Sequence, residues 1–394
     1  MQKIVIIGSF PGYKFSDSEI KEIENSDIIF TGRRNMELVD QINKEKVIIE
    51  NLEKSTEYIG KLLYENKKIL IIASGDPLFY GIGRHVVNTF GENNVKILPH
   101  IGSIQYAMSL INESYEDLYV VSLHGRPIKG FAQKIFNRNK AIIFTDRINT
   151  PSAIARYLVD FNILNYSMYV FENLGYGNQK IKSIEIPDAV NENFLDPNIV
   201  YLKRRNLIRN NYSDDNFIKI NNNITKKEIR DISVSEMEIQ ENDIIWDIGS
   251  GSGSISIQAC RLNPMGKVFS VEKNVDSYKN IILNMKKFHC DLDVIHGHAP
   301  EVLTDLPDPD IVFIGGSSGK IEDILDISFK RLKSGGRMII NTATIDNFMR
   351  SVHYFKKIEK SIEIIQANIS RNRDIKNGIM MAPLHQIYII RVVK

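Results

Sequence analysis

The stretch Asp247-Ile248-Gly249-Ser250-Gly251-Ser252-Gly253 constrains this chain more than any other. It follows an apolar run, Ile244-Ile245-Trp246, and leads into a helix-patterned segment, Ser254 to Leu262. Glycine at alternate positions removes the side chains that hold a loop away from a ligand. The helix start behind it supplies free N–H groups and the positive end of the helix dipole. A second acidic residue, Glu272, closes the next apolar run, Lys267-Val268-Phe269-Ser270-Val271. A carboxylate there is placed to accept hydrogen bonds from two ribose hydroxyls. Strand, glycine loop, helix, strand and acid, in that order, predict a nucleoside-binding half-sheet. The alternative is a tight strand–helix turn with no ligand, and the flanking elements and the acid weigh against it.

The rest of the chain alternates in the same way. Residues 2–7 read as a buried strand ended by Gly8, followed by a helix over Asp17 to Asn25 and strands at Asp27 to Phe30 and Lys68 to Ala73. Further elements fall at Val95 to Leu98, Ser103 to Leu110, Ala141 to Phe144, Pro151 to Val159 and Ser167 to Phe171, an α/β order with parallel strands. Lys180 to Ile186 and Asn198 to Leu202 are strand-like without intervening helices. A polar, Asn-rich stretch then breaks the pattern, so a first domain is expected over 1–205, a linker over 206–222 and a second domain over 223–394. In the second domain, helices are expected between the first six strands. The final two, Ser361 to Ile369 and Gln386 to Val392, are expected to pair antiparallel at an edge.

Composition excludes several classes. With 394 residues, a formal net charge of +2 and 25% charged residues, nothing calls for a nucleic-acid or anionic-membrane partner. No apolar run reaches the roughly 18 residues of a membrane helix, and the N-terminal run is too short for a signal peptide. Cys260 and Cys290 stand far apart with no CxxC spacing, which disfavours a disulfide scaffold or structural zinc and fits a reducing cytoplasm. His296 and His298 form HxH, but no third ligand has a matching spacing, so no metal is expected.

A sheet ending in an antiparallel pair departs from the NAD-binding pattern, and residues 225–394 resemble the class I S-adenosylmethionine-dependent methyltransferases. Thr225-Lys226-Lys227-Glu228-Ile229-Arg230, Gly297-His298-Ala299-Pro300-Glu301 and Gly315-Gly316-Ser317-Ser318-Gly319 narrow the likeness to the decarboxylating methyltransferases of corrin-ring synthesis. That resemblance implies a Rossmann-like domain whose Thr225, Gly249, Ser250, Gly251, Ser252, Gly253, Glu272 and Ala299 hold S-adenosylmethionine, leaving S-adenosylhomocysteine as product. Gly315, Gly316 and Ser317 would line the tetrapyrrole pocket. Gln258 stands where an acid is common, and Met380 to Gln386 lacks the family's Asn-Pro.

Ala73-Ser74-Gly75-Asp76-Pro77-Leu78-Phe79-Tyr80-Gly81, with Ser122-Leu123-His124-Gly125-Arg126 and Glu172-Asn173-Leu174-Gly175, resembles the tetrapyrrole methylases and their C-5 precorrin branch. The likeness covers residues 2–202. It implies a two-lobed α/β domain with Gly75, Asp76, Pro77 and Gly81 at a second cofactor site. Phe10 occupies a position where that family has glycine, so it either narrows the cleft or packs under the loop, and Gly102-Ser103 replaces a usual Ser-Ser. His124 and Arg126 either bind carboxylates of a polyacid substrate or cap the loop. No Ser–His–Asp or Cys–His arrangement stands out, and no catalytic acid–base residue is assigned.

The two resemblances together imply methylation of C-5 and C-15 of a precorrin, with loss of the C-12 acetate carboxylate, on a small-molecule tetrapyrrole. Both families commonly associate, so a homo-oligomer is expected. Two other readings remain: an RNA methyltransferase, which would need a basic face, and a C-15 enzyme whose N-terminal domain is only a scaffold.

Overall fold

Runs of β-branched residues set the first sheet. The computed structural model describes residues 3–394 and opens with β1 (Ile4–Ser9), α1 (Asp17–Asn25), β2 (Ile28–Thr31), β3 (Glu45–Ile48), α2 (Leu52–Tyr64), β4 (Ile69–Ser74), α3 (Gly83–Phe90) and β5 (Val95–Leu98). The strands lie in the order β3-β2-β4-β1-β5, and every pair is parallel. Successive side chains point to opposite faces. Ile4, Ile6, Phe30, Ile69 and Ile71 fill one core, while Ile7, Ile29, Leu70 and Ile72 fill the other. A sheet covered on both faces reads as unbroken apolar sequence. β3 and α3 were not anticipated, because β3 is a half-exposed Glu-Lys-Val-Ile edge and α3 begins at a glycine.

A second sheet follows from α4 (Ser103–Leu110), β6 (Leu118–Ser122), α5 (Phe131–Ile135), β7 (Lys140–Phe144), α6 (Pro151–Asp160), β8 (Tyr166–Glu172), β9 (Lys180–Ile184), α7 (Ile186–Ala189) and β10 (Asn198–Arg204). Its order is β6-β7-β10-β8-β9. β6 and β7 pair as parallel neighbours, while β7 with β10, and β8 with β9, are antiparallel. The expectation of parallel strands therefore holds for the first sheet and not the second. A parallel return needs a long crossover, and the connections among β8, β9 and β10 carry at most the short α7.

The remainder comprises α8 (Lys227–Glu236), β11 (Ile244–Ile248), α9 (Ser254–Leu262), β12 (Lys267–Glu272), α10 (Val275–Lys287), β13 (Asp293–His296), β14 (Ile311–Ile314), α11 (Ile321–Arg331), β15 (Arg337–Thr342), α12 (Ile345–Lys357), β16 (Glu363–Ala367), β17 (Ser370–Ile375), β18 (Gly378–Pro383) and β19 (Ile387–Val393). Seven strands form one sheet, β13-β12-β11-β14-β15-β19-β16. The first five are parallel, and β19 runs antiparallel to β15 and β16. The predicted antiparallel pair is thus present, with β16 at the edge. The β17–β18 hairpin between its strands was not anticipated. Nor is there an α-helix between β13 and β14: a 3-10 turn, Glu301–Asp305, replaces it. Pro300, Pro307 and Pro309 surround that segment, and proline lacks the N–H a helix interior needs. Trp246, Ile248, Val312, Ile314, Met338, Ile340 and Ile390 form the core of one face.

The chain forms two compact units. One takes the chain up to Gly125 with Asn139–Ser152 and Ser167–Lys203; the other takes Arg126–Arg138, Ala153–Tyr166 and Arg204–Lys394. The polar stretch 206–222 is ordered against the second unit: Phe217 is buried and its ring lies 4.5 Å from that of Phe288. Among the described residues, no helix is long and apolar enough to cross a membrane.

Candidate functional site

Strand order places the second unit's site. The chain moves outward from β11 through β12 to β13, then returns to β14 on the other side of β11. The switch point therefore lies between β11 and β14, where an open α/β sheet leaves a crevice beyond its strand ends. Ile248 and Ile314, the last residues of those strands, are register partners. The two glycine loops that follow them must meet. A Cβ on Gly249 would lie 2.6 Å from the Gly316 carbonyl oxygen and 2.8 Å from its nitrogen, so only glycine permits the approach. Gly249 also has φ +73°, a left-handed conformation that side chains disfavour.

Each loop residue has a defined place. The amides of Gly249 and Ser250 donate to Val271 O at 3.0 and 3.1 Å, and Ser250 Oγ donates to Asp247 O at 2.8 Å. The Gly251 amide donates to Glu272 Oε2 at 2.8 Å, while Asn274 N donates to Oε1 at 2.8 Å. Gly253 caps α9 with φ +74° and packs on Ile281. Thr225 precedes α8, and its carbonyl accepts from Arg230 Nη1 at 2.9 Å. Ala299 lies beyond β13 and packs partly buried on the core. Gly315 N donates to Ile248 O at 3.0 Å, and Ser317 is buried. Among the described residues, the amides of Gly316, Ser317, Ser318 and Gly319 have no protein acceptor. Ser318 and Gly319 take left-handed φ values of +50° and +86°, the kind of conformation from which anion-binding nests are built.

Residues that sequence reasoning missed hold this arrangement in place. Asn284, fully buried on α10, donates to Ser252 O at 2.9 Å and Ile218 O at 2.8 Å. A buried asparagine on an otherwise apolar helix face was the available signal. Arg230, with no exposure, binds the carbonyls of Thr225 and Tyr212, Gln258 Oε1 at 2.9 Å, and Asp214 at 3.6 Å. Gln258, where an acid was expected, is thereby explained: it accepts from Arg230 and donates to Asp231 at 2.8 Å. Burial, opposed by hydrogen bonds from Ser256, pushes the Asp247 carboxyl up to about 7.

The loop fits an adenosyl donor on three counts. A Cβ on Gly251 would meet nothing within 4 Å, so open space faces the bare backbone. Ser252 Oγ is buried without a protein partner. Glu272 uses one contact per oxygen, and a carboxylate accepts about four.

In the first unit, β1, β4 and the loop after β5 converge. A Cβ on Gly8 would lie 2.1 Å from Gly75 O, and one on Gly75, at φ +63°, 3.0 Å from Gly102 Cα. Asp76 Oδ1 accepts from Leu78 N at 2.8 Å, and Pro77 O accepts from Gly83 N at 2.8 Å. A Cβ on Gly81 would lie 2.6 Å from Pro77 O, so Gly75 to Gly83 is one tightly closed turn. Its tip exposes Leu78, Phe79 and Tyr80. Phe10 packs: its ring lies 4.6 Å from that of Tyr106, and a Cβ on Gly175 would meet it at 2.4 Å. His124 shares its Nδ1 with Thr145 O at 3.0 Å at the end of β6. Arg126 is exposed and belongs to the second unit. His296 Nε2 contacts Lys273 O at 3.0 Å, and among the described residues no three His, Cys, Asp or Glu cluster as metal ligands.

Fold and loop together define an S-adenosylmethionine-dependent methyltransferase. Residues 216–394 match the family model described as precorrin methyltransferase domain, and residues 15–189 match that of the tetrapyrrole (corrin/porphyrin) methylases. A probable cobalt-precorrin-6B C(15)-methyltransferase (decarboxylating) of Sulfurisphaera tokodaii is 30% identical over 181 residues, 45% of this chain and 94% of the relative. A precorrin-6Y C(5,15)-methyltransferase [decarboxylating] of Sinorhizobium is 27% identical over 340 residues, 84% of this chain and 81% of the relative. A solved precorrin-6y C5,15-methyltransferase from Geobacter metallireducens is 37% identical, covering 46% of this chain and 97% of that one, with a TM-score of 0.45. The chain belongs to the decarboxylating precorrin methyltransferase family.

Proposed function

We propose that the chain methylates C-5 and C-15 of precorrin-6B, or of its cobalt form, and removes the C-12 acetate carboxylate during cobalamin synthesis in the cytoplasm. The observation that carries the C-15 half is the contact of Gly249 with Gly316, which sets a donor loop against a row of free amides. S-adenosylmethionine supplies an electrophilic methyl on a sulfonium. Thr225, Gly249 to Gly253, Glu272 and Ala299 would hold it, with Glu272 accepting from the ribose. Positioning of donor and acceptor then supplies most of the rate. Carbons of an electron-rich macrocycle attack without a strong base, in keeping with the absence of an assigned one. The amides of Gly316 to Gly319 would bind the C-12 acetate whose carboxylate leaves as carbon dioxide. Methylation leaves the conjugated ring electron-poor. The C–C bond to the carboxylate then breaks, its electron pair enters the ring, and carbon dioxide departs.

The 1–205 segment is proposed to act at C-5, with Gly75, Asp76, Pro77 and Gly81 at its cofactor site and His124 and Arg126 toward the substrate's carboxylates. The exposed rings of Phe79 and Tyr80, set edge to face at 85°, offer apolar surface to a macrocycle. A homo-oligomer is also proposed, since the β17–β18 hairpin exposes Ile375, Ile379, Met380 and Met381. No nucleic acid or membrane takes part in this scheme.

Mass spectrometry of products from a precorrin-6B-type substrate tests the reading. A gain of two methyls with loss of one carbon dioxide is expected. Asp76→Ala should remove the C-5 methyl and leave the other product intact. Loss of both, or of neither, would refute two independent sites.

A further inference from the structure

Beside the Gly-Asp-Pro turn lies a cleft of about 450 Å3, lined by Gly32, Arg33, Arg34, Asn35, Glu50 and Ser74 among others. It opens at the C-terminal ends of β2 and β4, and Ser74 joins it directly to Gly75. Its floor contains an unusual group. Asn35 is 8% exposed, its Oδ1 accepts from Ser74 Oγ at 3.2 Å, and its amide donors have no protein acceptor among the described residues. That amide lines the cleft with its donors unused by the protein, so it is free to donate to a ligand oxygen. Two guanidinium groups line the same cleft. Arg33 is held by Glu50, and Arg34 lies 3.8 Å from Asp196. A guanidinium has five N–H donors, and one carboxylate uses at most two, so each arginine keeps donors for a second anion.

The geometry points to a carboxylate-binding subsite, built from Asn35, Arg33 and Arg34, that takes one acidic arm of the tetrapyrrole during C-5 methylation. A planar two-oxygen anion matches a guanidinium fork flanked by an amide donor. Glu50 and Asp196 each pair with one arginine and so orient its fork. The assignment rests on the C-5 reading above. It adds to His124 and Arg126 a second point at which the substrate's acids are held, next to the donor loop.

Asn35→Asp is the sharpest test, because it keeps the volume and the acceptor for Ser74 while placing a negative charge where a donor stood. Arg33→Gln with Arg34→Gln removes the forks at exposed positions. The full-length chain is assayed with a precorrin-6B-type substrate, following C-5 and C-15 products separately. Each variant is expected to raise the KM of the C-5 step by roughly tenfold or more, the usual scale of a lost charged hydrogen bond. The C-15 step, S-adenosylhomocysteine affinity and thermal midpoint should stay at wild-type values. An unchanged C-5 KM in both variants overturns the subsite, as does an equal loss in both steps. A wild-type chain that makes no C-5 product overturns the C-5 reading itself, and the subsite with it.

Discussion

Gly251 gives the cleanest separation of ligand from fold. Its φ of +56° lies in the left-handed region, and a Cβ there would meet nothing within 4 Å. Gly251→Val therefore carries a backbone cost but no collision with the protein. That cost is about 1–2 kcal/mol. It should lower the unfolding midpoint of a domain of this size by roughly 2–8 °C. Gly335 is a matched control, with φ +75° and open space around its Cβ, in the turn that leads into β15. Gly335→Val carries the same strain away from the donor loop. The two variants should melt alike. In titration calorimetry with S-adenosylhomocysteine, Gly335→Val should bind as wild type. Gly251→Val should lose one of two sites, its affinity falling by about 100-fold or more, which is about 2.7 kcal/mol. Equal affinity in the two variants would refute the placement of the donor against Gly251. Gly249→Ala should behave differently again, losing stability and binding together, because its Cβ would strike Gly316.

Three other outcomes are expected. The Asp247 carboxyl, raised to about 7 from 3.8 by burial, is protonated in the folded state over a window where the unfolded chain has lost its proton. Its contribution is full below about pH 4 and fades as pH rises to about 7, at up to about 1.4 kcal/mol per pH unit. Asp247→Asn should flatten that part of the stability–pH curve in urea unfolding, and an unchanged slope would count against it. Arg230→Gln leaves the buried Asp214 without a buried partner charge and frees the Thr225 carbonyl. Asp214 keeps Arg371 at 2.9 Å, so the cost is that of the orphaned carbonyl, about 1–3 kcal/mol by urea midpoint. Arg371→Gln, at the more exposed end of the same network, should cost clearly less. Ile379→Asp with Met381→Asp on the exposed hairpin should lower the mass seen by light scattering while leaving the monomer's unfolding midpoint unchanged, and an unaltered mass would refute the hairpin's part in association.

Much of the fold was legible because burial on both faces leaves an unmistakable trace. Ile4 to Ile7 and Ile69 to Ile72 are continuous apolar runs because sheet and helices cover both sides. β3 was invisible for the opposite reason: an edge strand with polar residues has no periodic signature. The helix expected before β14 failed because three prolines outweighed the alternation pattern. The β17–β18 hairpin exposes apolar and charged residues together, so neither face of it marks a core.

The site was legible in parts and not in its assembly. Both glycine loops are plain in sequence, and each ends a strand. Their contact is not, because it depends on the order of strands across the sheet. Once β14 returns beside β11, parallel register puts Ile248 opposite Ile314, and the next residues of both strands must leave the sheet side by side. The two backbones can then approach only if the residue after Ile248 lacks a side chain, which is what Gly249 provides, whereas a Cβ on Gly316 would make only ordinary contacts. The same logic explains why the buried supports escaped notice. Asn284 holds the glycine loop at Ser252 and Arg230 holds Thr225, and their sequence context is that of ordinary helix residues. A glycine at a close approach is specified by what it must lack. A supporting polar residue is specified by the atoms around it, and those come from segments distant in the chain. Residues of the first kind can be read one at a time; residues of the second kind require the fold.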